Sequence, residues 1–221
     1  MAFTSTDMTL ADLLERFGPM PAARIRYDPP PGTATEQDVI ALEARENRLF
    51  ELVDGVLVEK AMGFYESFLA MRLGRFLTVF VEQHDLGIVA GADGMLRLAP
   101  GLVRIPDVSF VSWDRLPQRQ IPRQPIPNLV PDLVVEVLSE SNTPREMEQK
   151  RQEYFTAGVR LVWHVVPARQ EVHVYTAPDQ CEILTADHNL HGGEVLPGFA
   201  LPIHRLFADT TAGFDHNHTP C

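Results

Sequence analysis

Lysine is almost missing from this 221-residue chain: of 19 basic residues, only Lys60 and Lys150 are lysines. Cysteine is as scarce, with two in all, Cys181 and Cys221, far apart in the sequence. A disulfide framework is thereby excluded, and a reducing, cytoplasmic setting is predicted. No apolar run approaches the roughly 18–20 residues that a membrane span needs. The start, MAFTSTDMTLADLLERF, lacks the basic stretch and apolar core of a secretory signal. Basic charge is in deficit too: 19 Lys and Arg face 30 Asp and Glu, a net charge of -11. That excludes a simple basic nucleic-acid coat, though not a protein that grips nucleic acid locally through a metal ion. The deficit is uneven. Residues 104–151 hold seven basic residues and seven acids, so the whole negative excess lies elsewhere.

What is present suits one medium globular domain with short appendages. The pattern divides into an N-terminal helix and proline-rich connector (1–34), a main domain (35–208) and a polar, flexible tail (209–221). Thr9 and Gly18 bracket a short helix. Residues 19–35, rich in proline, read as an extended connector outside the core. Thr35 precedes an amphipathic helix. FELVDGVLVEK (50–60) predicts a hairpin, because Asp54-Gly55 suits the positive φ angles of a two-residue turn. Helical periodicity over 65–84 puts Phe68, Met71, Leu73, Phe76, Leu77 and Phe80 on one wide apolar face.

Short strands follow (GIVA, MLRL, VRIPDVSFVS), then an irregular, proline-rich crossover over 115–131. LVVEVLS (133–139) reads as a strand buried on both faces. Thr143, Pro144, Glu146 and Gly158 punctuate the next helix as N-cap, first-turn proline, capping-box acid and stop. RLVWHVV and EVHVYTA predict two more strands. CEILTA and LPGFALPIHRLF predict further short strands. Together these indicate an α/β or α+β sheet with helices packed against it.

Three residues stand out chemically. Glu136 interrupts a buried apolar strand, and a carboxylate there costs several kcal/mol unless it is paired, protonated or metal-bound. A salt bridge to an arginine and a catalytic role both satisfy that demand. Asp107 follows Pro106 at a strand entry, which by itself reads equally as a turn residue. Lys150 lies on the inner face of the capped helix with Met147 and Tyr154; a snorkelling stem is the plainer account. Taken together, two carboxylates and an ammonium are the parts that metal-assisted phosphodiester hydrolysis requires.

Lesser candidates are Ser139 and Ser141 near the helix start, Arg145 and Arg151 on its outer face, and Gln149 as a water-orienting amide. The histidines make no convincing site: His188 with His191 and His216 with His218 lack further ligands at metal spacing. Trp113 and Trp163 read as packing residues.

PDVSFVSWDRL, PDLVVEVLSESNT, KRQEYFTAGVRLVWHVVP and EVHVY, with the upstream hairpin, resemble the Uma-two family of endonucleases, within the restriction-endonuclease-like PD-(D/E)XK superfamily. The resemblance covers residues 35–200. It implies an α/β (α+β) fold, a restriction-endonuclease-like core with a central mixed β-sheet flanked by helices. It makes Pro106-Asp107 the PD element and Glu136 the second acid. The superfamily lysine two residues later is replaced by Leu138, and Lys150 on the following helix fits that relocated role. Glu51 in the hairpin corresponds to an additional metal-reaching acid.

The implied activity is Mg²⁺-dependent DNA cleavage, with Mn²⁺ able to substitute. Asp107, Glu136 and Lys150 would be catalytic, and Glu51, Asp107 and Glu136 would be metal ligands. A homodimer and no membrane partner are implied. The net charge and Leu138 support an alternative, a catalytically silent module of the same fold used for protein association or nucleic-acid docking.

Overall fold

The computed structural model describes residues 8–208. The tail at 209–221, with His216 and His218, lies outside the described residues. In chain order the elements are α1 (Leu10–Phe17), α2 (Glu36–Glu46), β1 (Phe50–Val53), β2 (Val56–Glu59), α3 (Phe64–Gln83), β3 (Gly87–Ala90), β4 (Leu96–Ala99), β5 (Leu102–Arg104), β6 (Val108–Ser112) and β7 (Leu133–Val137). Then come α4 (Pro144–Ala157), β8 (Leu161–Val166), β9 (Glu171–Ala177), β10 (Gln180–Leu184), β11 (Asn189–Gly192), β12 (Leu196–Pro202) and α5 (Ile203–Phe207).

Six strands form a mixed sheet in the order β10-β9-β8-β7-β6-β3. All its pairings are antiparallel except β7 with β8, the pair that α4 connects. A parallel pair needs such a crossover, because a tight turn cannot bring the chain back to the same end of the sheet. Four strands make a second sheet, β2-β1-β5-β4, and β11-β12 form a separate hairpin. This is the central mixed sheet with flanking helices that the sequence implied.

Local signals account for the elements. Asp54 and Gly55 both adopt positive φ, 45° and 79°, at the β1-β2 turn, and the hairpin pairs Glu51 with Val58 across it. Thr143 accepts from the Glu146 backbone N–H, the Glu146 side chain returns to the cap, and Gly158 ends α4 at φ 103°. Helix α1 has the same kind of capping box, between Thr9 and Asp12.

The large sheet buries two different faces. One packs Leu133, Val135, Val137, Phe110 and Trp163 against Leu69, Leu73 and Leu77 of α3. The other sets Val134 and Val162 against Tyr154 of α4 and Leu96 and Leu98 of the small sheet. The acids and the lysine singled out from the sequence lie on this second side, between the sheets.

Three expectations need correction. Residues 19–35 are not outside the core: Met20 and Ile25 pack with Val53, Val56 and Val58 of the hairpin. Arg24 is buried and donates two hydrogen bonds to Glu146, at 2.8 and 3.0 Å. A proline-rich composition sets the backbone extended but leaves its side chains free to dock. Second, Ile203–Phe207 forms a short helix, not a strand. Ile203, Leu206 and Phe207 stand at helical spacing and are buried together. Third, the apolar face expected on α3 is wider than the sheet covers. Leu73 and Leu77 are buried, whereas Met71 is 74% exposed and Phe68 also faces solvent.

Candidate active site

Strand register brings the acids together. β6 pairs Val108 with Val135 of β7, so the position before it, Asp107, lies across from Glu136. The Asp107 backbone N–H donates to the Val135 carbonyl at 3.1 Å. In the small sheet, Leu52 pairs with Val103, which sets Glu51 beside Arg104. Helix α4 crosses above β7 and lowers Lys150 and Tyr154 between the two sheets. Glu51, Arg104, Asp107, Glu136, Lys150 and Tyr154 are all buried.

Lys150 Nζ lies 3.0 Å from Glu51 Oε1 and 3.4 Å from Glu136 Oε1. The Tyr154 hydroxyl donates to the same Glu136 Oε1 at 2.5 Å. Glu51 Oε2 accepts from Arg104 at 2.7 Å, and Oε1 accepts from the Ile105 backbone N–H at 3.2 Å. Arg104 in turn donates to Glu153 at 2.8 Å through Nε. Asp107 is held separately. Its Oδ1 lies 2.9 Å from Lys60 Nζ, and its Oδ2 accepts from the Val137 backbone N–H at 2.6 Å. Lys60 also donates to the carbonyls of Ile105 at 2.6 Å and Ala92 at 3.1 Å.

The donors are unevenly distributed over the three carboxylates. Both oxygens of Glu51 and both of Asp107 have partners. On Glu136, Oε1 takes two donors, while no hydrogen bond among the described residues reaches Oε2. Lys60 has three acceptors for its three N–H groups and is saturated. Lys150 has two and retains one N–H for another acceptor.

Electrostatics separates the acids. Burial raises the pKa of Glu51, but Lys150 and Arg104 overcome it and hold the carboxyl down at about 2. Glu136 is pushed up to about 6, first by burial, with Lys150 opposing and with Asp107 and Glu51 adding repulsion. Lys150 loses stability as a cation through burial, yet Glu136 and Glu51 raise its pKa above the ordinary value, so the ammonium keeps its proton. Tyr154 is raised well above its usual value, mainly by burial and then by Glu136, and stays a hydroxyl donor. Next along the same row, His164 of β8 stands opposite Glu136. Burial, then Arg151 and His173, lower its pKa to about 3 and keep the ring neutral.

Among the described residues, no group of three or more His, Cys, Asp or Glu side chains has metal-holding geometry. Two carboxylates nevertheless suit Mg²⁺, which is commonly held by one or two protein carboxylates with waters and substrate phosphates filling the octahedron. The all-oxygen donor set and the unpartnered Oε2 of Glu136 fit such an ion.

A family model, Uma2, described as "Putative restriction endonuclease", matches residues 36–204. The chain belongs to the Uma2 family. This agrees with the family expected from the motifs and puts the protein among nuclease-class relatives. A crystal structure titled as a putative nuclease belonging to DUF820, from Anabaena variabilis ATCC 29413, superimposes with a TM-score of 0.64 at 20% identity. The match covers 72% of this chain and 89% of that one. At that identity the likeness is one of fold. No curated protein matches the chain. No described helix is long and apolar enough to cross a membrane.

The four residues singled out from the sequence thus fall in one region. Glu51, Glu136 and Lys150 are in contact, and Asp107 is one strand away from Glu136. The arginine that might have closed off Glu136 is on Glu51 instead. Of the lesser candidates, Ser139 and Ser141 bond to each other at 2.8 Å, and Gln149 donates to Glu153 at 2.8 Å. Arg151 donates to the Pro178 carbonyl at 2.8 Å. Trp163 is buried in the core, as a packing residue should be. Arg104, Lys60 and Tyr154 also reach the cluster, although no sequence motif marks them as its members. For Lys60 a signal existed, since both of the only two lysines end on candidate acids.

Proposed function

We propose that this Uma2 protein is a Mg²⁺-dependent DNA endonuclease that hydrolyses phosphodiester bonds at the Asp107–Glu136–Lys150 cluster. The supporting observation is the side-by-side placement of Asp107 and Glu136 with a protonated Lys150 beside Glu136. Asp107 and Glu136 would hold the ion, Glu136 through Oε2. A bound Mg²⁺ supplies Lewis-acid polarisation of the phosphate and a more acidic water.

The chain's own groups do the rest. Tyr154 and Lys150 fix Glu136 through one oxygen, so the other would be available to hold the ion. Lys60 and the Val137 N–H orient Asp107. Lys150 retains its proton, so its role is to stabilise negative charge developing on the phosphate with its remaining N–H. Glu51 is the third ligand suggested by the family resemblance. Its burial and its three donors favour a different duty, anchoring Lys150 and Arg104.

The test uses the full chain, supercoiled plasmid DNA and Mg²⁺ or Mn²⁺. Glu136→Ala and Asp107→Asn should each abolish cutting, and Asp107→Asn should also lose calorimetric Mn²⁺ binding. A Glu136→Ala protein that cuts as fast as the parent overturns the assignment. A silent module of the same fold is the second reading. It is favoured by the near-complete internal pairing of the buried charges, and it predicts no metal binding and no cutting.

A further inference from the structure

Helix α3 is apolar on two sides. Leu69, Leu73, Leu77 and Val81 are buried against the sheet. Phe64, Tyr65, Phe68, Met71 and Val79 stand on the remaining surface, in water. Among the described residues nine large apolar side chains are exposed, and five of them belong to this one helix. That is not the scatter of single apolar residues that any surface shows. A helix that is apolar nearly all round is normally covered on both sides.

The area is on the scale of a protein interface. Phe64, Tyr65 and Phe68 are 93%, 42% and 36% exposed, and a fully buried aromatic side chain covers about 150–250 Å². The three rings alone therefore offer about 250–450 Å², and Met71 and Val79 add to it. A specific dimer buries about 800 Å² on each partner. This helix thus supplies a large part of one such patch.

The spacing says what covers it. About a point between Met71 and Arg72, position 64 mirrors 79 and position 68 mirrors 75. Two copies of α3 packed antiparallel about a twofold axis there would set Phe64 against the partner's Val79, Phe68 against the partner's Arg75, and Met71 beside the partner's Met71. A twofold interface needs this self-complementarity, with residue i on j and j on i. A foreign partner would require no such symmetry. Arg75 is exposed and has no ion-pair partner among the described residues, so its aliphatic stem is available to cover a ring.

We infer that α3 is the face on which a second copy of this chain docks, antiparallel and with the twofold axis at Met71. Met71, Arg75 and Val79 also line a groove of about 320 Å³ that ends at Asp107. The pairing therefore sets two copies of the acid cluster on either side of one axis. It stands whether or not that cluster cuts nucleic acid.

Light scattering on the full chain over a dilution series should give twice the mass of one chain. Met71→Glu brings like charges together at the axis and should raise the dissociation constant at least about tenfold. Its far-ultraviolet circular dichroism should not change, because the side chain already faces water. Phe64→Glu and Val79→Lys, also at exposed positions, should each weaken the dimer at least about fivefold. Mixed together, these two variants should pair with each other more tightly than either pairs with itself, since one contact is then native and the other an ion pair. Ile183→Ser, on β10, should leave the dimer intact.

A parent chain that stays monomeric throughout overturns the inference; capture of that monomer by anionic lipid vesicles would assign the face to a membrane surface instead. A dimer that Met71→Glu leaves intact overturns it too. So does a mixture of Phe64→Glu and Val79→Lys that pairs no better than either alone, because the antiparallel register then fails. No readout here involves metal or cutting, so these results are separate from the plasmid assay, which tests the nuclease reading.

Discussion

The Tyr154 hydroxyl lies 2.5 Å from Glu136 Oε1, the same oxygen that Lys150 approaches. Two donors from α4, one turn apart, thus converge on one atom of a carboxylate carried by β7. Among the described residues, no donor reaches the other oxygen. Removing the hydroxyl in Tyr154→Phe leaves a buried carboxylate short of a hydrogen bond and should destabilise the protein by about 1–3 kcal/mol. The carboxylate also becomes free to rotate, so Mn²⁺ affinity measured by calorimetry should fall several-fold. An unchanged urea midpoint together with unchanged Mn²⁺ binding would show that the contact does no positioning.

Lys150 neutralises two buried acids at once. Lys150→Met leaves Glu51 and Glu136 without their shared ammonium and should cost about 3–5 kcal/mol in urea unfolding. In the proposed reaction this variant also lacks the charge that would face the phosphate, and plasmid cutting should slow by about 10²–10³-fold. Lys150→Arg should recover much of the stability but little of the rate, because a planar fork cannot occupy the place of a compact ammonium.

The two glutamates give opposite pH responses. The Glu136 pKa in the folded chain, about 6, is above its ordinary 4.5. Its protonated form is favoured by folding, so its contribution is complete below pH 4.5 and is lost as pH rises through 6. The Glu51 carboxyl is held down at about 2, so its contribution is present above 4.5 and lost as pH falls toward 2. Relative to Glu136→Gln, the parent should therefore lose stability on going from pH 4.5 to above 6. Mn²⁺ affinity should rise over the same interval, since an ion held by Glu136 as proposed would compete with that proton. Parallel stability curves for parent and variant would contradict the shift.

The hairpin tip is a stability hinge. Gly55 adopts φ +79°, and a Cβ there would come within 2.4 Å of the Gly32 carbonyl carbon. Gly32 N and Ala34 N both donate to the Gly55 carbonyl, at 2.8 and 3.0 Å. Gly55→Ala combines backbone strain with a main-chain clash and should cost at least about 1–3 kcal/mol. Hydrogen exchange should show the loss of protection centred on residues 25–34 and the β1-β2 hairpin. A neutral effect on the urea midpoint would mean that the segment is not docked there.

Much of the fold could be read from local patterns. The Asp54-Gly55 turn, the capping box and glycine stop of α4, and the β-branched run of β7 all formed as expected. Each depends on groups within a few residues of one another. Two readings failed where distant packing decides. Proline-rich composition places the 19–35 segment outside, yet Arg24 reaches Glu146, a partner 122 positions away. Periodicity gives the apolar face of α3 one width, although only contact with the sheet determines which of its side chains are covered.

Sequence by itself determined the inventory of this protein: an acid stranded in an apolar strand, a second after a proline, and two lysines in a chain otherwise supplied with arginine. These are consequences of composition and short-range periodicity. Only the stacking of two sheets around α4 decided that Glu51 serves Lys150 across 99 positions, that Arg104 binds Glu51 across 53, and that Tyr154 donates to Glu136. Desolvation between the sheets makes each of those partnerships obligatory, and no local pattern records which charges will be buried together.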